Sequence, residues 1–240
     1  MKEIDIQVTT LLNNEGSVLF IDKPLDWTSF DVVKKVRSAS HERKVGHAGT
    51  LDPKATGLLI VCVGKMTKSI DRFVGLEKEY TGSFELGIRT SSFDSETEVI
   101  ERHDWTGVPA ERIAELAKEL TGAQMQVPPM YSALKYGGKP LYEFARAGKV
   151  VERAEREIVI SQFSVDAERL PLVDFCVVCS KGTYIRSLID ELGQRLGCGA
   201  VLRSLRRMRI GAYHVRDAWT IAEMIAQLNV GNRLTNQLSN

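Results

Sequence analysis

An unbroken apolar run at positions 18–21, VLFI, is too short for a helix and is followed by a Lys23-Pro24 turn, so residues 17–22 read as a buried strand. TSFDVVKKVRSA then carries apolar residues at helical spacing, with Thr28 or Ser29 as its cap. Residues 43–57 have neither period and are dense in Gly, Thr, Pro and Asp, which predicts a loop; LLIVCVG after them predicts a strand buried on both faces. A short helix is expected over 66–73. From Lys78 the pattern alternates, with Tyr80, Phe84, Leu86 and Ile88 on one face and Thr81, Ser83, Glu85 and Gly87 on the other, as in a long amphipathic strand.

Residues 109–120 place Ile113, Leu116, Ala117 and Leu120 on one helical face, with Pro109 near the start and Gly122 just past the end. QVPPMYSALKYGGKP predicts an extended surface loop and PLYEFARAG a short helix. Strands are expected around 157–165 and 173–179, then a helix over TYIRSLIDELGQRL that buries Ile185, Leu188, Ile189, Leu192 and Leu196 and stops at Gly197. A final strand region at 208–215 precedes a helix capped by Thr220, and GNRLTNQLSN reads as a frayed tail. Strands occur both singly between helices and in succession. The fold class is therefore α+β, with a mixed, largely antiparallel central sheet flanked by helices.

Composition adds little: 240 residues, 43% apolar and 26% charged, describe an ordinary folded protein. The formal charge of +1 is unevenly spread. Residues 181–216 hold Lys181, Arg186, Arg195, Arg203, Arg206, Arg207, Arg209 and Arg216 against few acids, which fits either a phosphate-contacting face or a solvated face with scattered ion pairs. The N-terminal residues lack the apolar core of a signal peptide and no stretch approaches 18 apolar residues, so a cytoplasmic location is expected. Cys176 and Cys179 form a CxxC, but on a strand residues three apart face opposite ways, so no metal site is expected. The spacing of Gly57 and Gly64 around a hydrophobic strand does not make a phosphate loop.

Taken alone, GHAGTLDPKATG is a turn-rich loop with an Asp before Pro. As a whole string it closely resembles the catalytic motif of the TruB family of tRNA pseudouridine synthases. Other motifs of that family follow in order: VLFIDKPLDWTSFDVVKKVR, KEYTGSFELGIRT, QVPPMYSALKYGGKPLYEFAR and CSKGTYIRSLIDELGQRLG, so the resemblance spans roughly residues 17–216. It implies the pseudouridine synthase fold over residues 1–225, with an RNA-contacting insertion at about 123–152, and a short tail at 226–240 in place of the PUA domain found in many members.

The resemblance also implies isomerisation of uridine 55 in the T loop of tRNA, with no cofactor and no metal. Asp52 is then the essential carboxylate, attacking C1′ as a nucleophile or removing the C2′ proton to give a glycal. Tyr80 corresponds to the active-site tyrosine and Arg186 to the active-site arginine, expected to pair with Asp52. His47 is expected to fill the space left by the flipped uridine; Lys23 to contact phosphate or support the loop; Tyr184 and Leu205 to line the uracil pocket. Where many relatives have TDTxD ending in Gly, this chain reads TSSFDSETE, which leaves open whether Asp94 is a structural or an RNA-side residue. The expected partner is the T-arm stem-loop, bound by a monomer with neither a membrane nor an obligatory protein partner. The competing reading is a non-catalytic protein that binds the T arm and helps tRNA fold.

Overall fold

The computed structural model describes residues 16–228. In chain order the elements are β1 (Ser17–Lys23), α1 (Ser29–Ser40), β2 (Val45–His47), β3 (Ala55–Val63), a 3-10 turn (Gly64–Ser69), α2 (Ile70–Val74), β4 (Lys78–Leu86), β5 (Ile88–Thr90), β6 (Val99–Arg102), α3 (Ala110–Glu119), β7 (Gly122–Gln126), β8 (Lys135–Tyr136), β9 (Lys139–Pro140), α4 (Leu141–Arg146), β10 (Arg156–Arg169), β11 (Leu172–Cys179), α5 (Ile185–Leu196), β12 (Ala200–Ile210) and β13 (Tyr213–His214). Residues 221–228 form a further helix, α6. The predicted tail from Gly231 onward lies outside the described residues.

The strand order is β1-β3-β12-β4-β11-β10-β7, with β2 on β3 and β13 on β12. The registered pairs are antiparallel, and isolated bridges such as Ile21 to Trp219 are parallel, which makes the sheet mixed but largely antiparallel, as expected. The described residues divide into two compact units, 16–78 with 206–228 and 79–205, so β12 contributes to both.

In the first unit β3 is buried on both faces. Leu59, Val61 and Val63 pack with α1 and α6 in one cluster, while Leu58, Ile60 and Cys62 join Phe73 and Ile210 in another. A strand sandwiched this way has no polar alternation, which is why its sequence is a continuous apolar run. Helix α1 begins with a capping box: the Thr28 hydroxyl accepts from the Asp31 N–H, and the Asp31 carboxylate accepts from the Thr28 N–H. Thr220 and Glu223 repeat the device at the start of α6.

In the second unit α3 packs on β10 and against α5. Phe175 meets Phe84 and Phe163 within the core. The stretch expected to be an extended loop contains a small hairpin, β8 with β9, turned through Gly137 and Gly138 at φ values of 57° and 85°. Two adjacent left-handed residues suit a tight hairpin turn, and glycine takes them without a Cβ penalty. β12 starts at Ala200, eight residues before the predicted strand, and turns at Gly211 into β13. Its arginines mask the strand pattern in the sequence.

Candidate active site

Asp52 lies in the connection from β2 to β3, half-buried, and opens a turn in which its carbonyl accepts the Ala55 N–H at 3.0 Å with Pro53 between them. Proline presets the backbone for the second position of such a turn. Each neighbour of Asp52 is tied to another element. The Ser29 hydroxyl accepts the Leu51 N–H at 2.8 Å and lies 3.1 Å from the Leu51 carbonyl. The Pro53 carbonyl accepts the Asp26 N–H at 2.9 Å, and Lys54 pairs with Asp26 at 2.7 Å.

Lys23, at the end of β1, is fully buried. Its ammonium donates to the carbonyls of Trp27 at 2.6 Å, Pro24 at 2.9 Å and Pro53 at 3.4 Å, matching three donors to three acceptors. The bond to the Pro53 carbonyl ties the end of β1 to the loop that carries Asp52. Burial lowers its pKa to about 8; the Asp52 carboxylate opposes the shift and Arg207 adds to it. His47 ends β2 and is also half-buried. Burial first, and then the Arg207 charge, hold its pKa below the ordinary value, partly offset by a hydrogen bond with the Gly49 main chain, so the imidazole is neutral at pH 7.

Arg207 is a residue that sequence reasoning missed as part of this site. Only 1% exposed, it donates from Nε to the Leu58 carbonyl at 2.7 Å, from Nη2 to Gly49 at 3.2 Å and from Nη1 to Thr50 at 3.4 Å. The sequence placed it in a basic segment whose charges have mostly other uses in the structure. Arg195 pairs with Glu191, Arg203 with Glu85, Arg206 with Asp22 and Arg209 with Glu77, at 2.6–3.0 Å. Arg186, like Arg207, is buried. Of the two readings of the segment, the ion-paired one describes these residues better than an open phosphate face.

In the second unit, Arg186 lies in the first turn of α5, where it donates to the carbonyls of Tyr131 at 2.8 Å and Ser92 at 3.0 Å. Its Nε is 3.4 Å from the carboxylate of Asp94, which is itself buried and accepts from the Ser92 hydroxyl at 2.6 Å and the Glu96 N–H at 2.9 Å. The departure from the family pattern left the role of Asp94 open between structural and RNA-side, and the fold makes it the buried carboxylate partner of Arg186. Two buried opposite charges, each with further hydrogen bonds, avoid the penalty an isolated one would carry.

Tyr184 precedes α5, and both its main-chain groups are held by the Gln126 amide: its N–H donates to Oε1 at 2.8 Å and its carbonyl accepts from Nε2 at 3.1 Å. The Arg156 guanidinium lies 4.6 Å from the centre of its ring, a cation-π contact. Tyr80 is buried on β4, and Leu205 is half-buried on the neighbouring β12. The structure therefore gathers Lys23, His47 and Asp52 around one loop of the first unit. In the second unit, Arg186 and Tyr184 share one helix start, while Tyr80 and Leu205 lie on adjacent strands. Among the described residues, no helix is long and apolar enough to cross a membrane, and no group of three or more His, Cys, Asp or Glu is placed to hold a metal ion.

Residues 37–185 match the family model described as TruB family pseudouridylate synthase (N terminal domain), and residues 186–238 match tRNA pseudouridylate synthase B C-terminal domain. The chain is 46% identical over 230 residues to the tRNA pseudouridine synthase B of Chlorobaculum tepidum, covering 94% of this chain and 96% of that one. It is 47% identical over 231 residues to the protein of the same name from Chlorobium phaeovibrioides, with the same coverage. Among solved structures it resembles a chain of a Cbf5-Nop10-Gar1 complex, with TM-score 0.69 and 29% identity over 89% of this chain. It also resembles a chain of an H/ACA RNP bound to a substrate RNA containing 2'-deoxyuridine, with TM-score 0.67 and 26% identity over 94% of this chain. The chain spans about half the length of these two solved chains, 54% and 55%.

Proposed function

Because the chain belongs to the TruB family of tRNA pseudouridine synthases, we propose that its substrate is uridine 55 in the T loop of tRNA and that Asp52 is the carboxylate that isomerises it. The bond between ribose C1′ and uracil N1 breaks, the base turns, and C1′ bonds to C5; C5 loses a proton and N1 gains one. Atoms and electrons balance without an oxidant or second substrate, so no cofactor is needed.

The observation that carries this reading is the anchoring of Asp52. Its neighbours Leu51 and Pro53 are fixed by Ser29, Asp26 and Lys23, so the carboxylate is presented from a held backbone. Held geometry lowers the barrier whether Asp52 attacks C1′ or removes the C2′ proton. Arg186 is the arginine that the family motif assigns to the reaction, Tyr80 stacks on the uracil, and Tyr184 and Leu205 line its pocket. A neutral His47 enters the space left by the flipped base without bringing a buried charge, and flipping itself costs a few kcal/mol of stacking. Lys23 serves by holding the loop.

The core, residues 1–225, does the chemistry as a monomer in the cytoplasm, with the insertion at about 123–152 gripping the T arm. Exposed Leu134 and Tyr136 beside Lys135 and Lys139 give that insertion the mixture of apolar and basic surface that suits RNA.

The test is pseudouridine formation on an unmodified T-arm stem-loop by wild type and Asp52→Asn, with RNA binding measured alongside. Product from wild type only, with similar binding by both, is expected. Tight binding without product from either protein would favour the tRNA-folding reading instead.

A further inference from the structure

We propose that Arg207 is a positioning residue: it ties both flanks of the Asp52 loop to one buried guanidinium and so sets where the carboxylate stands. This rests on Asp52 being the carboxylate that does the chemistry.

The hydrogen bonds divide the loop into zones. Ser29 and Lys23 hold Leu51 and Pro53, the residues on either side of Asp52. Arg207 holds what lies outside them, Gly49 and Thr50 before and Leu58 after, so a segment that leaves β2 and enters β3 is pinned at both ends by one planar group. The close approach is built into the backbone. Gly57 has φ +104°, and a Cβ there would stand 2.7 Å from the Arg207 N, so only glycine lets β12 come near enough for the guanidinium to reach the carbonyls. At Gly49, also at φ +104°, a Cβ would stand 3.7 Å from Arg207 Nη1.

An arginine suits the task where a lysine does not. The fork presents donors in fixed directions to three carbonyls, whereas the one nitrogen of a lysine at 207 cannot stand where Nε, Nη1 and Nη2 stand at once. The buried charge has a second effect: it lies near Lys23 and His47 and acts on both. Arg207 thus fixes the loop geometrically and helps keep the imidazole beside it neutral.

The experiment compares wild type, R207K, R207M and D52N. Single-turnover pseudouridine formation is measured at saturating T-arm RNA, together with RNA affinity, thermal stability and the His47 imidazole pKa by NMR. R207K keeps the charge but not the fork. It is expected to lower the single-turnover rate about 10- to 100-fold, the scale of a small misplacement of a reacting group, while RNA affinity stays within about threefold and the His47 pKa stays put. R207M is expected to lower the rate at least as far and to raise the His47 pKa.

A wild-type rate in R207K overturns the proposal, as does a rate loss matched by an equal loss of RNA affinity. An unchanged His47 pKa in a folded R207M overturns its electrostatic half. If R207M does not fold, R207K alone decides the positioning role, because it retains the buried charge. An active D52N overturns this proposal together with the catalytic assignment; an inactive D52N beside a fully active R207K overturns this proposal alone.

Discussion

A lysine whose ammonium faces three carbonyl oxygens acts as a structural cation, and its charge state matters to whatever those carbonyls support. For Lys23 they include Pro53, the neighbour of Asp52. Burial, the larger influence, lowers its pKa from 10.5 to about 8. The unfolded chain keeps this proton up to about 10.5 and the folded chain only to about 8, so between those values the unfolded state binds more protons. The Lys23 contribution to stability therefore rises with pH across that window and is lost as pH falls through 8. Activity runs the other way, because a neutral amine has two donors for three carbonyls and no charge to set against Asp52. Expected outcomes are a fall in kcat with an apparent pKa near 8 and a urea midpoint that rises relative to Lys23→Met between about pH 8 and 10. A kcat that stays flat to about pH 9.5 would remove Lys23 from the machinery.

At the scale of elements, β12 comes unusually close to β3 where a side chain is absent. Gly57, near the start of β3, combines φ +104° with the Arg207 main chain, while Gly138, in the β8–β9 turn, has φ +85° and open space, with nothing within 4 Å of where a Cβ would stand. Gly138→Ala therefore meets backbone strain alone, about 1 kcal/mol, whereas Gly57→Ala adds a backbone clash and is expected to cost about 3 kcal/mol or more in urea unfolding. Equal losses at the two sites would mean that β3 and β12 can separate freely. Patterning found α1, β3, α3 and α5 because each has a face or a whole surface committed to one core. It found β12 late, because arginines interrupt the alternation while their heads reach Glu85, Asp22 and Glu77. Strand β7, only five residues with most of its length exposed, carries almost no hydrophobic signal.

For the molecule as a whole, a net charge of +1 has to serve a polyanionic substrate. Of the eight basic residues of the 181–216 segment, Arg195, Arg203, Arg206 and Arg209 are matched with acids, Arg186 and Arg207 are buried, and Lys181 and Arg216 are exposed, so most of the salt dependence of RNA binding should come from elsewhere. Lys135, Lys139 and Lys149 are exposed on the proposed RNA-gripping insertion. Each phosphate contact contributes about 0.7 to 0.9 to the slope of log affinity against log salt. Replacing all three lysines by alanine is expected to reduce the slope by about 2, weaken binding at moderate salt and leave kcat at saturating RNA unchanged. An unchanged slope in filter-binding titrations would place the electrostatic contact outside the insertion.

By itself the sequence determined the elements whose signals are local: the start of α1 at Thr28 or Ser29, the doubly buried β3, the turn-rich loop that carries Asp52, and motifs specific enough to reveal the family. Tertiary structure decided which charges face one another. Arg207 and Leu58 are 149 residues apart in the chain, and Arg186 reaches Ser92 from 94 residues away, yet each pair is in hydrogen-bond contact. Local patterning reports the faces of a strand or helix and says nothing of which distant segment covers them. A buried cation next to carbonyls and an exposed one next to phosphate have the same sequence; desolvation, set only when the strands pair, separates them.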